Sequence, residues 1–301
     1  MEYITGINRQ IKERMIRIFF FFVALTSTTI LVFIMYFLLT EGLPIFNEIS
    51  VKEFFFGHYW YPTDDPPDFG IFPLIIASIA VTVVSAVISI PLGVFTALYL
   101  AEVASAGLRR WIKPVVELLA ALPSVVIGFF GMVIVAPFLQ EALNIATGLN
   151  LFNASLMLAF MSIPTICSIS EDAIYSVPAE LKEASLALGA THCETIFRVI
   201  VPASISGICT AVILGMSRAI GETMVVLMVA GGAAMVPGSI FDPVRPMPAS
   251  IAAEMAEAPF RGEHYHALFA TGIVLFVFTL IFNLLADYIA NRYRQVGAST
   301  L

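Results

Sequence analysis

Apolar residues in this chain run in long blocks separated by short polar segments. The blocks lie near Arg17–Leu39, Ile71–Leu100, Pro114–Phe138, Asn153–Tyr175, Ala203–Gly231 and His266–Ala290. Each is long enough to cross a hydrocarbon core of about 30 Å as a helix. The second exceeds that need and contains Pro91, which predicts a tilt or kink. Unpaired backbone cannot face lipid, so the pattern predicts an all-α, polytopic transmembrane helical bundle of six spans. The first block is too long for a signal-peptide core and lacks a small-residue cleavage site, so it is expected to be retained.

Between the fourth and fifth blocks lies a different pattern, EASLALGATHCETIFRVIVP (183–202). It predicts a short helix, a glycine stop and a second helix. Pro178 suits a first helical position, and Leu181, Ala184, Ser185 and Leu188 share one small, mostly apolar face. Gly189 stands where a left-handed stop is needed, and Thr191 with Glu194 has capping-box spacing.

Composition agrees with the blocks: 59% hydrophobic, 12% charged and a mean hydropathy of +0.93. A soluble domain of this length could not hide so much apolar surface. The net charge of −7 says little about nucleic acid, and no nucleic-acid partner is expected. Cys167, Cys193 and Cys209 have no metal-like spacing and read as free thiols.

Basic residues set the orientation. Arg9, Lys12, Arg14 and Arg17 precede the first span, and Arg109, Arg110 and Lys113 separate the second from the third. Lys182 and Arg198 flank the knuckle, and Arg292 and Arg294 follow the last span. The positive-inside rule then puts both termini and the knuckle in the cytoplasm. The chain divides into residues 1–70 (N-terminus, first span and outer loop), 71–290 (core transmembrane domain, knuckle near 176–202) and a cytoplasmic tail, 291–301. The outer loop Thr40–Gly70 holds Phe54, Phe55, Phe56, Tyr59, Trp60 and Tyr61, either an interfacial belt or a docking surface. A short surface helix is expected over Ser250–Ala258 of the last outer connection.

Arg218 is the one Lys or Arg well inside a block, with Glu222 at i+4 on the same helix face. A charge near the bilayer centre costs on the order of 3 kcal/mol on insertion scales, so the pair needs a reason. It either fixes helix packing or forms a pathway in which Arg218 contacts an anion and Glu222 positions or releases it. Ser217 and Thr223 are nearby hydroxyls. Glu171 and Asp172, at the end of the fourth block, read as solvated acids or as partners for basic residues of the knuckle.

Residues 183–202 resemble the coupling loop of binding-protein-dependent ABC importer permeases: Glu-Ala-Ala, three residues, Gly, nine residues, Ile-x-Leu-Pro. Glu183-Ala184-Ser185 opens it here, Gly189 keeps its distance, and Val199-Ile200-Val201-Pro202 closes it. Ser, Val and Val replace Ala, Ile and Leu. In that family the loop docks into a groove on a separate ATPase subunit. Arg218-Ala219-Ile220-Gly221-Glu222-Thr223, with FGIFPLIIASI (69–79) and PLGVFTALYLAE (91–102), is further similar to phosphate importer permeases, PstC-type rather than PstA-type. The similarity covers residues 69 to 290.

The resemblance implies a type I importer permease of the MetI-like fold that translocates inorganic phosphate. It also implies a PstA-type permease partner, two PstB-type ATPase subunits and an extracytoplasmic PstS-type phosphate-binding protein, in a prokaryotic inner membrane. Arg218 and Glu222 would be the transport-critical charges; Glu183, Ala184, Ser185, Gly189 and Pro202 would form the coupling loop. In that reading Ala184 and Gly189 keep the knuckle compact, while Glu183 ties it to neighbouring polar groups. The sequence contains no Gly-x-x-x-x-Gly-Lys-Ser/Thr, so the chain is expected to be no enzyme and to carry no cofactor. Two other readings stay open: a permease for molybdate or sulfate, and an ion-coupled secondary transporter.

Overall fold

The computed structural model describes the backbone of residues 2–292 and the side chains of residues 12–285, 287 and 288. The expected tail, 291–301, falls outside the described residues from 293 onward. Among the described residues, six helices are long and apolar enough to span a membrane: Lys12–Asn47, Phe72–Val103, Ser124–Leu143, Leu151–Tyr175, His192–Ile220 and Glu263–Leu285.

In chain order, α1 (Glu2–Gly42) supplies the first span. An outer cap follows, made of a 3-10 turn (Leu43–Asn47), α2 (Val51–Phe56) and two short antiparallel strands, β1 (Trp60–Tyr61) and β2 (Asp68–Phe69). The second span is α3 (Phe72–Leu98), ending in a π-helical turn (Tyr99–Val103). Next come the amphipathic α4 (Ala106–Ala120) and a third span of α5 (Ser124–Phe130), a π turn (Gly131–Val135) and α6 (Ala136–Leu143). The fourth span is α7 (Leu151–Tyr175). The knuckle is α8 (Ala179–Ala187) and α9 (His192–Thr195), which runs through a π turn (Ile196–Ile200) into α10 (Val201–Ile220). After a break come α11 (Met224–Val229), α12 (Met247–Glu254) and the last span, α13 (Glu263–Arg292).

Three boundaries differ from the sequence expectation. The third span starts at Ser124, not Pro114, because Pro123 biases the residue before it away from helix and ends α4. The fifth helix begins at the knuckle itself, with no loop before Ala203, and breaks at Gly221. The outer surface helix is Met247–Glu254 rather than Ser250–Ala258; Met247 and Ser250 are buried, and the Met247 amide donates to Ser78 Oγ at 2.9 Å.

The outer aromatics are not a simple interfacial belt. Phe54, Trp60 and Phe69 are buried with Ile45, Ile71, Leu74 and Leu268 in a small core of their own, while Phe56, Tyr59 and Tyr61 stay exposed. The Trp60 indole donates to Glu254 Oε2 at 2.9 Å, and Glu254 also accepts from Arg245, Ser250 and His264. This network borders an outer cavity of about 1050 Å³.

Inside the bundle, α3, α7 and α10 meet around the fully buried Ile166. Gly93 and Gly215 approach it from opposite neighbours: an added Cβ would lie 2.7 Å from its Cγ2 and 2.5 Å from its Cγ1, respectively. Lipid offers no hydrophobic drive for helix association, so close approach at small residues supplies the packing energy. Ser162 on α7 donates to the Gly215 carbonyl at 3.2 Å, across the same contact. Hydroxyls on the lipid-exposed α1 are satisfied locally: Thr26, Thr28 and Thr29 bond carbonyls four residues back at 2.8, 3.0 and 2.8 Å.

Substituting Gly93 or Gly215 by Leu should therefore cost about 1–3 kcal/mol by overpacking. A thermal melt in detergent checks this, with Gly107→Leu as the control, since nothing lies within 4 Å of a Cβ there.

Candidate functional site

The knuckle folds as its spacing predicts, one residue displaced at its start. Pro178 is the N-cap rather than the first helical residue of α8. At the other end, Gly189 has φ +87. Its N–H donates to the Leu186 carbonyl at 3.0 Å, and the Ala190 N–H donates to the Ser185 carbonyl at 3.2 Å. These two bonds make a Schellman stop, which needs a left-handed residue at this position. Thr191 and Glu194 close a capping box at the start of α9.

None of the residues of α8 is buried. The sequence-predicted face divides: Ser185 turns inward, its hydroxyl 3.0 Å from Thr195 Oγ1, while Leu181, Ala184 and Leu188 point outward, Leu188 at 90% exposure. Glu183 is exposed and has no hydrogen-bond or ion-pair partner among the described residues. The tie expected of Glu183 is made instead by its neighbour Lys182, whose ammonium pairs with Glu102 at the end of the second span. Among the described residues nothing lies within 4 Å of a Cβ at Gly189, so conformation, not internal space, fixes glycine there. Pro202 is the second residue of α10; just upstream, the Val201 N–H reaches back to the Ile196 carbonyl, in the π turn before it.

Glu171 is neither solvated nor a partner of the knuckle. It is 1% exposed, accepts from Arg109 Nη2 at 2.6 Å and lies 3.3 Å from Lys113 Nζ, so α4 is clamped to the C-terminal end of α7. Asp172 is exposed and lies 3.8 Å from Lys113. Arg109 also stacks over the Tyr175 ring at 4.1 Å.

The structure separates the two intramembrane charges. Arg218 lies in the last turn of α10, exposed on this chain, on a stripe with Thr210 and Leu214. Glu222 is not at i+4 on the same helix, because the helix has ended. Its Oε1 accepts instead from the N–H groups of Met224 and Val225 at 3.2 and 3.4 Å, capping α11. Among the described residues no hydrogen bond or ion pair reaches the side chain of Arg218. Beside it, Ser217 donates to Asn283 Oδ1 of the last span, and Thr223 donates to the Gly221 carbonyl at 3.3 Å. The knuckle and Arg218 are not one cluster, yet one unbroken helix joins them. From Pro202 to Arg218 is 16 residues, about 24 Å at roughly 1.5 Å per residue.

Sequence reasoning missed Asn283, Glu102 and the α4 clamp. Asn283 stands alone in the apolar run FTLIFNLLA (278–286), which was a readable signal. The partners of Glu102 and Glu171 lie 80 and 62 residues away in sequence, and nothing local announces them.

Residues 89–295 match the family described as binding-protein-dependent transport system inner membrane component. The chain is 39% identical over 287 residues to a probable ABC transporter permease, YqgH, of Bacillus subtilis, covering 95% of this chain and 93% of that one. It is 34% identical over 260 residues to the phosphate transport system permease PstC of Mesorhizobium japonicum, covering 80% and 78%. In fold it is similar to a bacterial alginate ABC transporter with its periplasmic protein (TM-score 0.64, 17% identity, 92% of this chain and 96% of that one). It is also similar to the MetNI methionine ABC transporter (TM-score 0.56, 20% identity, 75% and 95%).

Replacing Glu171 by Ala would leave Arg109 and Lys113 without their buried partner. The expected loss is about 3 kcal/mol, at the low end for a broken buried pair because both cations are partly solvated. Chemical denaturation of the detergent-purified protein measures it; Asp172→Ala should change stability by less than about 1 kcal/mol.

Proposed function

The chain belongs to the family of binding-protein-dependent transport system inner membrane components and is the permease component of an ABC importer, not an enzyme; from that premise we propose that it translocates inorganic phosphate. ABC importer permeases work with ATPase and binding-protein partners. The proposal adds a PstA-type permease, two PstB-type ATPases and a PstS-type phosphate-binding protein. The observation that carries the substrate is Arg218. It is a guanidinium within a membrane span, exposed on the isolated chain and unclaimed by Glu222. A guanidinium stays charged and donates in a planar fork that suits a tetrahedral oxyanion. Because Glu222 caps α11, the oxyanion does not have to displace it from Arg218. The similarity to PstC proteins supports the same substrate.

In this reading the knuckle, 176–202, docks on an ATPase subunit in the cytoplasm. Glu183, Ala184 and Gly189 stay outside the permease core, Ser185 ties α8 to the fifth-span helix, and Pro202 lies within that helix. ATP binding moves the docked α8. The continuous α9–α10 helix carries that movement to Arg218, and the pathway alternates between its two openings. Both termini lie on the cytoplasmic side in this reading, which the distribution of Arg and Lys supports. The exposed Phe56, Tyr59 and Tyr61 of the outer cap face the binding protein.

Two measurements on the reconstituted transporter test this. Arg218→Gln should lower ATP-driven phosphate uptake by about 30-fold or more, the scale of one charge-assisted contact, with assembly and ATPase activity kept. Unchanged uptake would make Arg218 a packing residue. Competition by molybdate or sulfate in the wild-type complex would reassign the oxyanion. Gly189→Leu should abolish uptake while the chain still inserts, because a left-handed leucine costs roughly 1–2 kcal/mol and unmakes the stop. Normal uptake by that variant would remove the docking assignment.

A further inference from the structure

Helix α8 meets the rest of its own chain in few places. Lys182 and Ser185 are its two side chains that bond outside the helix, and at i, i+3 they share one face. The backbone at Ser176–Pro178 joins α8 to the fourth span, and Gly189–Ala190 joins it to the helix of the fifth. Ser185 bonds Thr195, which belongs to that same fifth-span helix. Among the described residues, the side-chain bond from α8 that reaches the second span is the Lys182–Glu102 pair.

Glu102 is built to hold that pair. Its side chain is 7% exposed while that of Lys182 is 28% exposed, and it lies in the π turn that ends the second span. Its chain neighbours Leu100 and Ala101 pack in an apolar cluster with Leu98, Ile174, Ile196 and Ile200. A buried ion pair is seldom more stable than apolar residues of the same volume, so its use is in fixing a geometry. Single π turns inside longer helices also recur at functional positions.

We infer that the Lys182–Glu102 ion pair is the strut through which movement of α8 reaches the second span, so that spans two and five are driven together. This rests on the proposal that α8 docks on an ATPase. Lys182 and Glu102 are positioning residues: neither touches substrate. A push on α8 passes into the fifth span along the backbone and into the second span through the pair. Around Ile166 the two spans are already packed on the fourth, and a knuckle joined to only one of them would shear that contact instead of moving it.

The test uses the assembled transporter in vesicles and reads phosphate taken up per ATP hydrolysed. Lys182→Met, Glu102→Gln and the double neutral chain should each lower that ratio by about tenfold, the scale of one charge-assisted hydrogen bond, with assembly and ATPase activity retained. The exchanged chain, Lys182→Glu with Glu102→Lys, should restore it to near the wild-type value. A double neutral chain that couples like wild type would overturn the strut, because a merely structural pair tolerates neutral replacement. So would an assembled exchanged chain that stays uncoupled. Should these variants fail to assemble, Lys182→Cys with Glu102→Cys, in a chain whose Cys193 and Cys209 are serine, decides the matter. A short reversible thiol cross-linker should raise the ratio and reductant should lower it; the same ratio in both states would overturn the proposal. Gly189→Leu separates the two readings. Normal coupling in that variant removes the docking assignment. Lost coupling there, beside full coupling in the double neutral chain, removes only the strut.

Discussion

Backbone polarity in a medium without water is the constraint from which the rest of this structure follows. A helix can cross such a medium because it bonds its own N–H and C=O groups, and every interruption must be repaired by a neighbouring group. The fifth span is interrupted at Gly221–Thr223, and the repair is Glu222, whose carboxylate accepts two N–H groups of α11. Glu222 is thereby held away from Arg218, which keeps its positive charge on the exposed side of α10. A break in one helix thus keeps the carboxylate of Glu222 off the side chain of Arg218.

Packing and charge are divided by depth. In the interior, small residues let α3, α7 and α10 close on Ile166, and the hydroxyls of Ser155 and Ser162 bond backbone carbonyls. Toward the knuckle ends of the spans, buried acids are paired with bases from helices outside the bundle: Glu171 with α4, and Glu102 with α8. The apolar residues that α8 leaves uncovered, Leu181, Leu186 and Leu188, are then free for a partner. The outer cap repeats the pattern around Glu254, which satisfies Trp60, Arg245, Ser250 and His264 at once.

Much of the architecture was legible in the chain because its signals are local. Span length follows from runs of apolar residues, and the capping box at Thr191 and Glu194 needs only three residues of spacing. The left-handed stop at Gly189 is equally local. The boundaries that failed are those where a local signal competes with continuity. Pro202 read as the end of a loop, yet the π turn before it lets the helix run from the knuckle into the membrane. Arg218 and Glu222 read as an i, i+4 pair only because the break between them is marked by a single glycine, which a helix tolerates at a cost of about 1 kcal/mol.

The sequence by itself determined the six spans, the two-helix knuckle with its glycine stop and the presence of an arginine where charge is expensive, since each depends on residues within a few turns of one another. Family membership and the chain's role as an importer permease are carried by motifs of the same short range together with similarity along most of its length. Only the tertiary structure decided the partners. Lys182 rather than Glu183 ties the knuckle down, Glu171 is buried against α4, Trp60 lies inside a core, and Asn283 accepts from Ser217. Each joins residues between 62 and 194 positions apart. Pairings over such distances are set by how helices pack, and packing is a property of surfaces that no stretch of sequence holds alone.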